Sequence, residues 1–322
     1  MSKQPRLFVD NYKPIATESL LVGNFPPIEL YLRRGYDNFT LYKPDHVELK
    51  VRDTDRFKNN HIEFVYINAD DSEMFNEYLE KHVRSILLRG DVKSETKEFI
   101  LSIVLFNYLF EVYSQTERIG DVTRCRQIIE TLSTYLFNKG CLKRSLTKIL
   151  DGSFQIFAHS IDVTVLAILA HKSILDLHRD ELLEVGVGAM FHDIGIIFLT
   201  SNSIKDASPA TDTDYTRIKM HPQMGYNLLF PLWGKKDGVA LDIVRYHQEK
   251  YDGSGYPFHL VAERIPISAQ IVSICDVYSS LTTDRPFRKA STPEYALKIM
   301  ESESHVFNPD YLHAFKSMIL QE

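Results

Sequence analysis

The sequence predicts a mainly α protein, with an all-α helical bundle in its C-terminal half and a smaller mixed α/β domain before it. Three observations carry this expectation. Strand-like runs of aromatic and β-branched residues, separated by turn residues, lie before residue 70. From Ser94 onward the pattern is helical. His159, His192, His221, His247 and Asp276 each fall on a separate helical or loop-edge segment, as when a bundle draws the ligands of a metal site from several helices.

Taken in order, Glu29–Arg33 and Asn38–Tyr42 flank Gly35-Tyr36-Asp37 and read as strand, turn and strand. Pro44-Asp45 breaks the second of these, and Glu63–Ile67 is the clearest strand. Asp70-Asp71-Ser72 caps a helix whose apolar positions are Tyr78, Leu79, Val83 and Leu87. No catalytic constellation occurs here, so residues 1–90 are expected to form an accessory or sensory domain. Phe99 to Tyr113 is almost continuously apolar. Fifteen residues are too few to cross a bilayer, which takes about 20, so this helix should be buried in a core or a subunit interface. Gly120-Asp121 stops it, and a second helix runs from Val122 to about Asn138. Residues 91–140 thus read as a helical connector that also offers a homodimer contact.

Residues 141–322 form the third region. Asp151-Gly152-Ser153 opens the helix carrying His159, and Asp180-Glu181 lies in the first turn of the helix running down to His192. His221-Pro222 begins another helix, with proline near its first position. Val239 to His247 presents a histidine at its end, and Ile265 to Asp276 carries a carboxylate into an apolar helix.

Composition narrows the function. With 44% apolar and 25% charged residues in 322, the chain is an ordinary soluble globular protein. A net charge of −6 argues against a DNA or RNA binder. The N-terminus lacks the apolar core of a secretory signal, and three scattered cysteines make no disulfide framework. A reduced cytoplasm, with no membrane partner, is the expected compartment.

The strongest motif is Ala189-Met-Phe-His192-Asp193-Ile-Gly195, an apolar run ending in an imidazole and a carboxylate. A carboxylate can bridge two ions, which an all-imidazole site cannot do. The order His159, His192-Asp193, Gly195, His221-Pro222, His247, Asp252-Gly-Ser-Gly-Tyr-Pro257, Asp276 and Leu281–Arg288 resembles the HD-GYP family, a branch of the HD-domain superfamily. The resemblance covers about Gly152 to Leu312. It implies an all-α, HD-type metal-dependent phosphodiesterase that hydrolyses cyclic di-GMP to pGpG or GMP through a binuclear metal-activated hydroxide. Carried over, His159, His192, Asp193 and Asp276 resemble the ligands of one ion, and Asp193 would bridge to a second held by His221 and His247. Catalysis would centre on Asp193 and His192. Two divalent ions are implied, iron before manganese or zinc. Gly255, Tyr256 and Pro257 would border the substrate, and Arg285 and Arg288 would grip phosphate, since arginine forks match phosphate oxygens.

Three positions depart from the family pattern. Ile196 stands where a lysine is expected, Gln155 replaces a glutamate before the first histidine, and Gln248 replaces the second of a His-His pair. Gln155 and Gln248 predict two ions rather than three, and Ile196 removes one electrophilic contact beside the scissile phosphate. They also sustain an alternative, a weak or inactive signalling adaptor that binds nucleotide or a protein partner.

Overall fold

The computed structural model describes residues 11–35, 38–139, 155–199, 216–233, 238–284 and 288–320. The expected helix opening at 151–153, the loop at 201–213 and Arg285 lie outside these residues. The chain forms two compact units, Met1–Asn107 and Tyr108–Glu322.

The first unit holds a four-stranded antiparallel sheet of order β1-β4-β2-β3, with β1 Tyr12–Ala16, β2 Leu30–Arg33, β3 Phe39–Lys43 and β4 Phe64–Asn68. Strands β2 to β4 are those expected. β1 went unread because Pro14 interrupts it. Proline lacks a backbone donor, and β1 tolerates it as an edge strand paired with β4 alone. Helix α1, Val51–Asn59, also went unread, because it is charged nearly all round and buries a single side chain, Phe57. α2, Ser72–Leu88, buries Tyr78, Leu79, Val83 and Leu87 as its spacing predicts. The Tyr78 hydroxyl accepts from Leu21 N at 2.9 Å and donates to Ser19 O at 2.7 Å, tying the helix to the segment after β1. α3 spans Ser94–Ser114, and the boundary between the units falls within it.

The second unit is all-α among the described residues. It contains α4 Val122–Lys139, α5 Gln155–Leu175, α6 Arg179–Met190, α7 His221–Trp233, α8 Val239–Tyr246, α9 Ile267–Thr282, α10 Pro293–Ser302 and α11 Pro309–Leu320. α6 packs against α4, α5 and α8, and α9 packs against α5, α8, α10 and α11. Ile161, Val163 and Ile168 of α5, Val185 of α6, Ile243 and Val244 of α8, and Ile271 and Ile274 of α9 are fully buried. Each such side chain contributes about 1.5–3 kcal/mol relative to exposure. Two stretches, Ile156–Leu175 and Arg179–Leu199, are long and apolar enough to cross a membrane, yet 72% and 67% of them is buried inside the protein, as in the core helices of a soluble domain. The cap before α11 is Asn308, whose Oδ1 accepts from Asp310 N at 3.0 Å, and Asp310 lies in the first helical turn.

Candidate metal centre

Each site residue is placed by the end or face of a separate helix. α6 ends at Met190, and the chain turns sharply so that His192 and Asp193 follow at its C-terminus before a 3-10 turn, Ile194–Leu199. Gly195 is required there by close approach. A Cβ on it would lie 2.0 Å from the carbonyl oxygen of His221 and 2.7 Å from Gly225 N, so only glycine lets the first turn of α7 sit on the His-Asp turn. His221 thereby comes to 3.1 Å from Asp193 Oδ1 through its Nε2. His247 caps the C-terminus of α8, His159 lies in α5, and Asp276 lies in the packed middle of α9.

All six residues expected from the sequence converge. His159, His192 and Asp193 offer ligand atoms within 4.8 Å of one another, as do His192, His247 and Asp276, and likewise Asp193, His221 and His247. Asp193 belongs to the first and the third of these groups, His192 to the first and second, and His247 to the second and third, so the three groups overlap in one cluster.

The backbone fixes which nitrogen each ring presents. Nδ1 of His192 donates to Ala189 O at 2.7 Å, Nδ1 of His221 to Ile218 O at 2.7 Å, and Nδ1 of His247 to Val244 O at 3.1 Å. A carbonyl can only accept, so all three Nδ1 atoms carry hydrogen and the Nε2 atoms turn inward as the ligating nitrogens. Nε2 of His221 lies 3.1 Å from Nε2 of His247, and the buried Nε2 of His192 lies 3.4 Å from Asp193 Oδ2. Three inward ring nitrogens beside two carboxylates fit a cation between them. His159 is held differently, with Nδ1 3.0 Å from Ser279 Oγ and Nε2 2.9 Å from Asp276 Oδ1.

The titration of these groups follows from their neighbours. Burial works against a charged His192, but the adjacent Asp193 carboxylate outweighs it and raises the imidazole to about 9. Burial lowers His247 to about 4, so it is neutral at physiological pH. Although burial opposes it, Asp193 is held well below the usual carboxylate range by His192, His221 and His247. Asp276 is likewise lowered against burial, chiefly through His159. The centre thus offers two anionic carboxylates, a neutral His247 and a His192 that holds its proton beside Asp193. Oxygen and imidazole donors without thiolate suit iron, manganese or zinc.

The remaining positions read as follows. The amide of Gln248 donates to Asp276 Oδ2 at 3.0 Å, so it supports a ligand instead of replacing one. Gln155 opens α5, and its side chain lies outside the description. Ile196 is half-buried and puts an apolar side chain one turn past Asp193, its own N–H donating to Asp193 O at 2.9 Å. Gly255 is buried, and a Cβ there would lie 2.2 Å from Lys250 N, so its lack of a side chain serves packing against residues 248–250. The Tyr256 ring stands 6.3 Å from that of His221 and follows into a cis bond to Pro257. Arg288 is exposed, and its guanidinium donates to the carbonyls of Ser280 and Leu281 at the end of α9.

Sequence reasoning passed over Glu249 and Ser279. The buried Glu249 carboxylate accepts from Phe258 N at 2.7 Å and from Leu260 N at 2.9 Å, and so fastens the loop that carries Tyr256 and Pro257. A glutamate directly after two candidate ligands was the available signal. Ser279, one helical turn after Asp276, gave none, because a serine in a helix has many uses.

Residues 153–310 match the family model described as HD domain. Among curated relatives, the cyclic di-GMP phosphodiesterase PA4108 of Pseudomonas aeruginosa is 27% identical over 195 residues, which is 61% of this chain and 47% of that protein. The cyclic di-GMP phosphodiesterase response regulator RpfG of Xanthomonas campestris is 34% identical over 136 residues, 42% of this chain and 36% of that protein. The 3'3'-cGAMP-specific phosphodiesterase 3 of Vibrio cholerae is 25% identical over 181 residues, 56% of this chain and 39% of that protein. The matches thus span less than half the length of each of these relatives. Among solved structures, Bd1817, a HDG"Y"P protein from Bdellovibrio bacteriovorus, superposes with a TM-score of 0.66 over 97% of this chain and 100% of that one. At 19% identity that likeness concerns the fold.

Proposed function

We propose that the chain, an HD-GYP protein whose residues 153–310 match the HD domain model and which is similar to curated cyclic di-GMP phosphodiesterases, is a metal-dependent phosphodiesterase that hydrolyses cyclic di-GMP. The observation that carries the proposal is the convergence of four histidines and two aspartates, with Asp193 shared between two ligand groups. His159, His192, Asp193 and Asp276 would hold one divalent ion and Asp193, His221 and His247 a second, with iron first in order and manganese or zinc next. When bound, such a pair lowers the pKa of water to near neutrality and neutralises charge developing on phosphoryl oxygens.

The chain's own residues do the rest. Backbone carbonyls at Ala189, Ile218 and Val244 hold the imidazoles of His192, His221 and His247 in one tautomer, and Ser279 orients His159. The buried packing of α5, α6, α8 and α9 keeps these donors from relaxing toward solvent. Tyr256 and Pro257, fastened by Glu249, would line the entry for a cyclic dinucleotide. Ile196 removes one cationic contact to phosphate, so turnover should be slow relative to a lysine-bearing relative. That same substitution is the observation favouring the second reading, a signalling adaptor whose pocket binds the nucleotide without cleaving it.

Incubation of metal-loaded protein with cyclic di-GMP, followed by chromatography of the products, separates these readings. Conversion to pGpG or GMP that disappears with His192→Ala is the expected result. Binding without conversion assigns the adaptor role, and neither binding nor conversion rejects cyclic di-GMP as the ligand.

A further inference from the structure

One arginine near the centre carries a charge that the arrangement described so far does not use. Arg245 lies in the last turn of α8, two residues before His247, and is half-buried. Its guanidinium carbon stands 4.3 Å from the centre of the Tyr226 ring in α7, 4.8 Å from that of Phe258 and 5.5 Å from that of Tyr246. Among the described residues no carboxylate or carbonyl accepts a hydrogen bond from it, and its Nε is buried without a partner. The two terminal nitrogens are not shut off from solvent in this way.

Aromatic faces attract a cation, but they offer no lone pair to the five N–H donors that arginine carries in a planar fork. Donors withdrawn from water ordinarily find acceptors, so this fork is set for an acceptor that the chain itself does not supply. The flanking rings indicate its shape. Phe258 is 41% exposed, and beyond Tyr226 the row of rings continues to Phe230, 36% exposed, with centroids 5.3 Å apart and planes 27° from parallel. Exposed rings beside a guanidinium form a platform on which planar bases stack. The platform is joined to the metal centre through three segments. α7 begins at His221, α8 runs into His247, and Phe258 follows Tyr256-Pro257, with its N–H held by Glu249 at 2.7 Å.

We propose that Phe258 and Arg245 form a nucleobase subsite of the metal centre, the base stacking on Phe258 and the arginine fork donating to O6 and N7 of guanine. Guanine presents two acceptors on that edge, whereas adenine sets a donor amine beside N7, which opposes a guanidinium. The subsite therefore gives the centre a preference for guanine. This inference rests on the cyclic-dinucleotide reading above and adds to it the residue that chooses the base.

The test uses Arg245→Gln and Phe258→Ala in the metal-loaded full chain, each with cyclic di-GMP and with cyclic di-AMP. Glutamine matches the N6 and N7 of adenine. Preference is read as the ratio of kcat/KM values where turnover occurs, and of Kd values where the nucleotides bind without it. Such a ratio is insensitive to the fraction of protein that is folded. The parent should favour cyclic di-GMP, and Arg245→Gln should shrink that ratio about 10-fold. Phe258→Ala should weaken both nucleotides about 10-fold and keep the preference, because every base has a face to stack. A parent without preference overturns the inference, as does an Arg245→Gln ratio equal to the parent's or a Phe258→Ala chain that takes both nucleotides as well as the parent does. A parent that accepts neither nucleotide removes the cyclic-dinucleotide reading and the subsite together, whereas a parent that takes cyclic di-GMP, with an unchanged ratio in Arg245→Gln, removes the subsite alone.

Discussion

Replacing Asp193 by alanine is expected to abolish hydrolysis, by at least about 10³-fold, and to deplete both ions together. Removing a single hydrogen-bond donor to a transition state already costs about 10²–10³-fold. Asp193 does more than that, since its carboxylate appears in two of the three ligand groups. Without it, His221 and His247 are left with no carboxylate in their group, and the other group loses one of its two carboxylates. An alanine at 193 also strips His192 of the partner that raises it to about 9, leaving burial to push that imidazole down. Elemental analysis of the variant should therefore show metal loss from both positions, and product chromatography should show no turnover. Retention of one full equivalent of metal with residual hydrolysis would mean that the carboxylate serves one ion only.

The second large effect is on pH. His192 holds a proton up to about pH 9 in the metal-free protein, and its Nε2 must lose that proton to bind an ion. Metal affinity should therefore climb about 10-fold per pH unit between pH 7 and 9 and level off above it, so affinity at pH 7 is about 100-fold below the plateau. Stability of the metal-free protein responds with matching signs. His192 is raised above its ordinary 6.5, so its contribution is full below pH 6.5 and is lost as the pH rises through 9. His247 is lowered to about 4, so its contribution is full above pH 6.5 and is lost as the pH falls toward 4. Asp193 and Asp276, both depressed, add to the acid-side loss below about pH 4. Thermal unfolding of chelator-treated protein should peak near pH 6.5 and fall on both sides, with bound metal abolishing the alkaline fall. A metal affinity flat between pH 7 and 9 would contradict this titration scheme.

What the sequence disclosed depended on how local the signal was. His192-Asp193, His221-Pro222 and His247 stand at helix ends, where caps, proline and glycine punctuate the chain, and their helices were readable with their boundaries. The helix pair around Gly120-Asp121 was legible for the same reason. β1 and α1 were not, because one is an edge strand containing Pro14 and the other a charged helix with Phe57 as its one buried anchor. Their structure comes from neighbours distant in sequence. The site shows the same division. Ligand types at separate helices suggested the six residues, but Glu249 and Ser279 act through contacts across 9 to 120 residues of chain. At Gln248 the residue type disclosed a missing ligand but not that its amide donates to Asp276, a contact 28 residues away in the chain.

The claim on which the rest depends is that this centre holds two ions with Asp193 between them. Elemental analysis of the full chain, purified without chelators and with occupancy normalised to protein, tests it most directly. Six ligands, with the Gln248 amide spent on Asp276, predict a ratio near two metal ions per chain. A reproducible ratio near one or near three would contradict it.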